Sequence, residues 1–146
     1  DGVYIDQIAA AGPKDCFDTT HGHPIGGGHH WVDGYTAMLN KVRSVAKDKV
    51  VLTESNSEPF MAGINMFLTL VGFLIGDLPS TPMPKSSSII VPAFQSVYGG
   101  FVIPVGAEFF QADFSDPDVF AAKIAVQYVF GAQLGWFSLG NGTDNM

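Results

Sequence analysis

The sequence predicts an α/β protein, the C-terminal part of a (β/α)8 TIM barrel in which parallel strands alternate with helices. Three observations predict it. Apolar runs of strand length alternate with stretches of helical period, the order that right-handed crossovers turn into a parallel sheet. Two of those runs, Gly2-Val3-Tyr4-Ile5-Asp6 and Val50-Val51-Leu52-Thr53-Glu54, each end on a carboxylate. A charge at that place does nothing for a core, whereas barrels put their chemistry at the C-terminal ends of their strands. Finally, no Gly-x-Gly-x-x-Gly turn follows a strand, so the main sign of a dinucleotide-binding open sheet is missing.

Bulk composition points to a piece of something larger. The 146 residues fit one domain with a core of its own. Only 14% of them are charged, against about 25% in an ordinary free-standing domain. The chain also opens almost directly on a strand. It therefore reads, over residues 1–146, as the second half of a catalytic barrel, with the N-terminal half as its expected partner. The net charge of −7 and the scattered seven basic residues argue against nucleic acid. The longest apolar run, 63–76, falls short of the roughly 20 residues a membrane helix needs. A single cysteine, Cys16, excludes an internal disulfide and any multi-cysteine metal site, and reads as a plain loop thiol.

Residues 2–6 form the first strand. A long loop follows to about residue 28, broken by Gly12-Pro13, His23-Pro24 and Gly26-Gly27-Gly28. Loops of this length in compact domains usually serve function. From residue 30 to 46 the apolar positions recur every three or four residues (Trp31, Tyr35, Met38, Leu39, Val42, Val45), which predicts an amphipathic helix. Residues 50–53 are the second strand. The stretch Ser55-Asn56-Ser57-Glu58-Pro59 starts a short helix reaching about residue 63, and 64–70 the third strand.

Residues 77–88, rich in proline and serine, read as a loop or lid. The segment 89–94 is apolar, and 101–103 is the next strand after a Gly99-Gly100 turn. Ser115-Asp116-Pro117-Asp118 starts a helix with Ser115 as cap, and that helix runs to Phe130 and stops at Gly131. Residues 133–137 close the order as a last strand.

Asp6 and Glu54 are the candidate catalytic pair. Glycoside hydrolysis needs two acids flanking an oxocarbenium-like transition state. On adjacent strands about 4.8 Å apart, rim carboxylates can approach the roughly 5–5.5 Å of a retaining pair. Glu58 competes for the acid role, although its position suits the start of a helix.

The four histidines fall within ten residues, as His21-Gly22-His23 and His29-His30. An H-x-H at a barrel rim can ligate a divalent metal, with Asp6 or Asp18 completing the site. Such pairs usually stand on a strand, however, and these follow Thr19-Thr20 in a glycine-rich loop. The expectation is therefore sugar-contacting or structural histidines, with no metal and no cofactor. Trp31, Trp136, Tyr98 and Phe137 are candidates for stacking on a pyranose, although a place in the core is the more common use of any one of them. Gly26-Gly27-Gly28 lacks the lysine of a Walker loop and is not read as a phosphate seat.

Taken as a set, these motifs carry a resemblance. Gly-Val-Tyr-Ile-Asp-Gln-Ile, Cys-Phe-Asp, His-Gly-His-Pro-x-Gly-Gly-Gly, Trp-Val-Asp-Gly-Tyr, Thr-Glu-x-Asn-x-Glu-Pro, Val-Tyr-Gly-Gly-Phe and Gln-Leu-Gly-Trp-Phe resemble a poorly characterised family of bacterial glycosidase-like barrels. More distantly they resemble α-N-acetylgalactosaminidases and endo-α-N-acetylgalactosaminidases. The resemblance implies a retaining glycoside hydrolase acting on an α-linked sugar, with Asp6 as nucleophile and Glu54 as acid/base. It places His21, His23, Trp31 and Asp33 at or near the substrate loop, where Glu58 and Tyr98 join them as candidate substrate-binding residues. It also draws attention to Asn65, which stands where some such sites carry a further acid. Two alternatives accompany this expectation: a metal-dependent hydrolase built on His21 and His23, and a barrel that binds carbohydrate without turning it over.

Overall fold

The computed structural model describes residues 2–69, 91–106, 109 and 115–135. The elements run β1 (Gly2–Ile5), α1 (His30–Ala46), β2 (Val50–Glu54), a 3₁₀ turn (Glu58–Phe60), β3 (Met66–Leu68), α2 (Ala93–Tyr98), β4 (Ile103–Val105) and α3 (Pro117–Val129). The hydrogen-bonding order of the strands is β1-β2-β3-β4, and β1 and β2 run parallel. Strands in chain order, with helices between them, make this an α/β fold. The chain divides into two compact units, Asp1–Phe67 and Leu68–Met146.

In the first unit the core gathers Ile8, Leu39, Val51, Phe60, Ile64 and Phe67, all buried. Leu39 is where α1 turns inward, and Gly63 lets the chain pass close to it. A Cβ on Gly63 would lie 2.8 Å from the Leu39 Cβ, nearer than real carbon contacts come. Thr53 is wholly buried, and its hydroxyl donates to the Ile5 carbonyl at 2.7 Å. That bond ties β2 to β1 one residue below the two acids.

The other end of β2 is held by Asn65. Its backbone N–H donates to the Val51 carbonyl at 2.8 Å, and its Oδ1 accepts the Val51 N–H at 2.9 Å. Arg43, near the end of α1, binds the same Oδ1. The guanidinium also donates to the Gly63 carbonyl at 2.9 Å and to the Lys49 carbonyl at 2.8 Å. Asn65 therefore clips the strands together at the foot of the sheet, the end away from Asp6 and Glu54, and is not a rim residue. The start of β3 also moves from the expected residue 64 to Met66, because the Ile64 N–H is spent on the Phe60 carbonyl and Asn65 on Val51.

The second unit departs further from the sequence reading. The strand expected at 101–103 lies at Ile103–Val105. The N–H groups of Phe101 and Val102 instead donate to the Tyr98 carbonyl and finish the helical turn. The apolar piece at 89–94 contributes the start of α2, an element the sequence reading did not contain. The cap of α3 is Asp116 rather than Ser115: its carboxylate accepts the Asp118 N–H at 2.9 Å, with Pro117 first in the helix. Of the expected last strand, the described residues 133–135 show one parallel bridge, Val105 to Gln133; Trp136 and Phe137 lie outside the described residues, as does the 77–88 segment. Inside this unit Lys123 is buried with its ammonium 5.2 Å from the Phe109 ring centre.

Candidate active site

The pairing of β1 with β2 decides the geometry. Gly2 lies level with Val50, and the register continues through Ile5 and Thr53. The next residue on each strand is an acid, so Asp6 and Glu54 leave the sheet side by side. Their separation in sequence equals the offset of the strands. Tyr4, two residues before Asp6 and hence on the same face of the strand, donates its hydroxyl to Asp6 Oδ1 at 2.9 Å. Gln7 donates from Nε2 to Glu54 Oε2 at 2.7 Å, crossing from one strand end to the other.

The two carboxyl groups are shifted in opposite directions. The Tyr4 hydroxyl is the main reason that Asp6 sits below the usual carboxylate range, helped by hydrogen bonds from Glu54 and Gln7. Glu54 is pushed above that range, first by burial, then by its hydrogen bond with the Asp6 carboxylate and by the Asp6 charge. One group is thus held ionised and its neighbour is biased to keep a proton, the division of labour that acid/base catalysis needs.

The backbone makes a matching pair of bends. Gln7 and Ser55, the residues after the two acids, have φ of +65° and +61°. Only three non-glycine residues among those described adopt the left-handed region, and two of them stand here. Such a conformation costs about 1–3 kcal/mol for a residue with a side chain and gathers at functional sites. At these positions it breaks both strands abruptly at the rim and leaves the carboxyl groups at the turn.

The remaining candidates fall into other groups. His21 and His23 come together in the long loop, with ring centres 5.6 Å apart. Their third neighbour is Cys16, whose Sγ lies 3.4 Å from His21 Nδ1. Trp31 is half-buried on α1 and meets Tyr35 edge to face at 5.3 Å, and Tyr35 meets Phe60 in turn. Trp31 and Tyr35, with His30, Gly34 and Met38, line an open hollow of about 280 Å³. Asp33 is exposed in the first turn of α1, where a negative charge suits the helix dipole. Glu58 opens the 3₁₀ turn, is exposed, and has the corresponding place there. Tyr98 ends α2 in the second unit, tilted against Phe94 at 5.1 Å. Tyr4, Gln7 and Cys16 are the participants that sequence reasoning passed over. The i, i+2 spacing of Tyr4 and Asp6 on one strand was a usable signal for the first of them.

Comparison with known proteins follows the same chain segment. The family described as "Domain of unknown function (DUF6259)" matches residues 1–109, which include both acids and the histidine loop. The chain belongs to this family. One relative, from Monosiga brevicollis and named "Putative glycoside hydrolase 22789", is 42% identical over 145 residues, covering 99% of this chain and 12% of its own length. Another, "Putative glycoside hydrolase" from Bacteroides thetaiotaomicron, is 28% identical over 137 residues, covering 92% of this chain and 19% of its own. The chain thus spans less than a fifth of the length of either relative. One of them is eukaryotic, so the kinship is broader than the bacterial family expected. No solved structure matches.

Proposed function

We propose that this chain carries the catalytic acid pair of a glycoside hydrolase, a retaining enzyme acting on an α-linked sugar. The observation that carries the reading is the Asp6–Glu54 pair, level on adjacent parallel strands and shifted in opposite directions. The names of the two relatives support the hydrolase class. The α-linkage rests on the resemblance of the rim motifs to α-N-acetylgalactosaminidases. Retention is supported by the nearness of two carboxyl groups that shift each other's acidity, since an inverting pair stands about 6.5–9.5 Å apart around a water.

In this mechanism the Asp6 carboxylate attacks the anomeric carbon while the glycosidic C–O bond breaks. Glu54 gives its proton to the departing oxygen. The resulting Glu54 carboxylate then takes a proton from water, whose oxygen attacks the same carbon and releases Asp6. Trp31, Asp33 and Glu58 are proposed to contact the sugar. The reading in which Asp6 joins His21 and His23 as a metal ligand is weaker, because Asp6 is engaged by Tyr4 and Glu54.

In the same reading the sheet is part of a TIM barrel whose other half lies elsewhere in the protein. β1 ends the strand order. Beside it Val3, Met38, Val42 and Val45 line an apolar hollow of about 470 Å³, and Val45 is 82% exposed. A further strand and helix of a barrel would cover these side chains.

The test is hydrolysis of aryl α-glycosides by the full-length protein and its variants. Glu54→Gln should lower kcat by about 10²–10⁴-fold, and Asp6→Asn should reduce turnover to background, with unchanged far-UV circular dichroism in both. Wild-type rates in either variant would refute the assignment. Sugar affinity without turnover in the wild-type protein would mark a binding barrel instead.

A further inference from the structure

We infer that Cys16, His21 and His23 form a zinc site that fastens the long loop between β1 and α1. One ligand atom from each of the three lies within 4.8 Å of the others. The Cys16 Sγ to His21 Nδ1 distance of 3.4 Å is close to the roughly 3.5 Å that separates sulfur and nitrogen ligands on a tetrahedral zinc, given Zn–S near 2.3 Å and Zn–N near 2.0 Å. A thiolate with two imidazoles is a donor set that suits zinc.

The surroundings of both rings are those of metal ligands. A ligating histidine offers one nitrogen to the metal and donates its other N–H to an oxygen, which fixes the tautomer and the ring. His21 points Nδ1 at the sulfur, and its Nε2 lies 3.3 Å from Asp18 Oδ2. Asp18 is itself fixed, because its Oδ1 accepts both the N–H and the hydroxyl of Thr20 at 2.7 Å. His23 has Nδ1 at 2.8 Å from the Pro24 carbonyl, an arrangement that makes Nδ1 the protonated nitrogen and leaves Nε2 for the metal. The His23 ring is also stacked on His30 at 4.4 Å, at the start of α1. His30 Nε2 in turn reaches the Lys14 carbonyl at 3.1 Å.

The loop has reason to need such a fastening. Between residues 12 and 25 only Cys16 and His23 are even half-buried, and Phe17 and Ile25 are 71% and 61% exposed. Burial alone therefore does little to order it. Its internal structure is a single antiparallel bridge in which Cys16 and Gly26 exchange both backbone hydrogen bonds, at 3.2 and 2.7 Å. That bridge closes a ring and holds the sulfur over the His21-Gly22-His23 turn, where Gly22 supplies a φ of +72°. Three protein ligands leave a fourth position for water or for one more donor.

Zinc binding to the intact, reduced and chelator-treated protein tests this without reference to hydrolysis. The wild type and a His29→Ala control should bind one equivalent more than Cys16→Ser. Cobalt(II) should give a thiolate charge-transfer absorption that Cys16→Ser lacks. Asp18→Ala should keep the site but weaken zinc about 10- to 100-fold, the usual effect of removing a group that orients a ligand. Equal zinc stoichiometry and equal cobalt spectra in wild type and Cys16→Ser would overturn the assignment. So would alkylation of Cys16 by iodoacetamide at a rate that saturating zinc does not change.

Discussion

The acid rim and the cysteine-histidine loop lie in one unit of the chain but hold their side chains by opposite means. Asp6 and Glu54 are placed by the sheet: the register of two parallel strands makes them neighbours, and Thr53 pins that register one residue below. Cys16, His21 and His23 sit on a segment with little buried surface, joined by one bridge and its own polar contacts. The rim is rigid because its foundation is buried. The loop is ordered only as far as its side chains hold one another. A site built the first way survives the loss of any one contact at its surface, whereas one built the second way depends on each.

Variants can break that contrast at its foundation or at its surface. The largest effect should come from Asn65, at the foot of the sheet. Asn65→Ala removes the acceptor for the N–H of Val51, which has no exposed surface. Leaving that donor unpaired costs about 1–3 kcal/mol, to be read as a lowered denaturant midpoint. Turnover per folded molecule should stay near wild type, and a large loss of kcat at full folding would mean that Asn65 reaches the rim after all.

Tyr4→Phe should act at the surface and leave stability almost untouched. It removes the main reason that Asp6 is held below the usual carboxylate range, so the Asp6 pKa rises. If Asp6 must be ionised to react, the acidic limb of the pH–rate profile moves to higher pH, with little change on the basic side. An unmoved limb would separate Asp6 from the reaction.

The smallest effect concerns the folding cost of the site itself. Glu54 has a raised pKa in the folded chain, so the native state binds its proton more tightly than the unfolded state. That penalty is absent well below the ordinary glutamate pKa and grows as pH rises through and above it. Glu54→Gln should therefore unfold at a slightly higher temperature than wild type near neutral pH, and the gain should fade in acid. A variant less stable than wild type at neutral pH would show that the carboxylate helps the fold.

How much of this was legible depended on whether local sequence controlled the outcome. The pairing of Asp6 with Glu54 could be read because strand ends and their order follow from short apolar runs and βαβ succession. Helix α1 was found at residues 30–46 because seventeen residues of clear period leave little choice. The shifted β4 and the new helix α2 were not legible, since whether Tyr98 closes a helical turn or yields to a strand is decided by contacts distant in sequence. Asn65 was misread for a related reason. Its place at the foot of the sheet depends on where β3 begins, which the turn after Phe60 sets. Cys16 was passed over because one cysteine looks idle until the fold brings His21 to it.

The burial of Lys123 has a practical consequence for the second unit. Lys14, Lys41, Lys47 and Lys49 are exposed on the first unit, while Lys123 keeps 1% of its surface on α3. An amine-reactive label meets the four at once and Lys123 only when α3 lifts away. The molecule therefore carries a native clock for the opening of that helix, readable residue by residue in a mass spectrum with no substitution made.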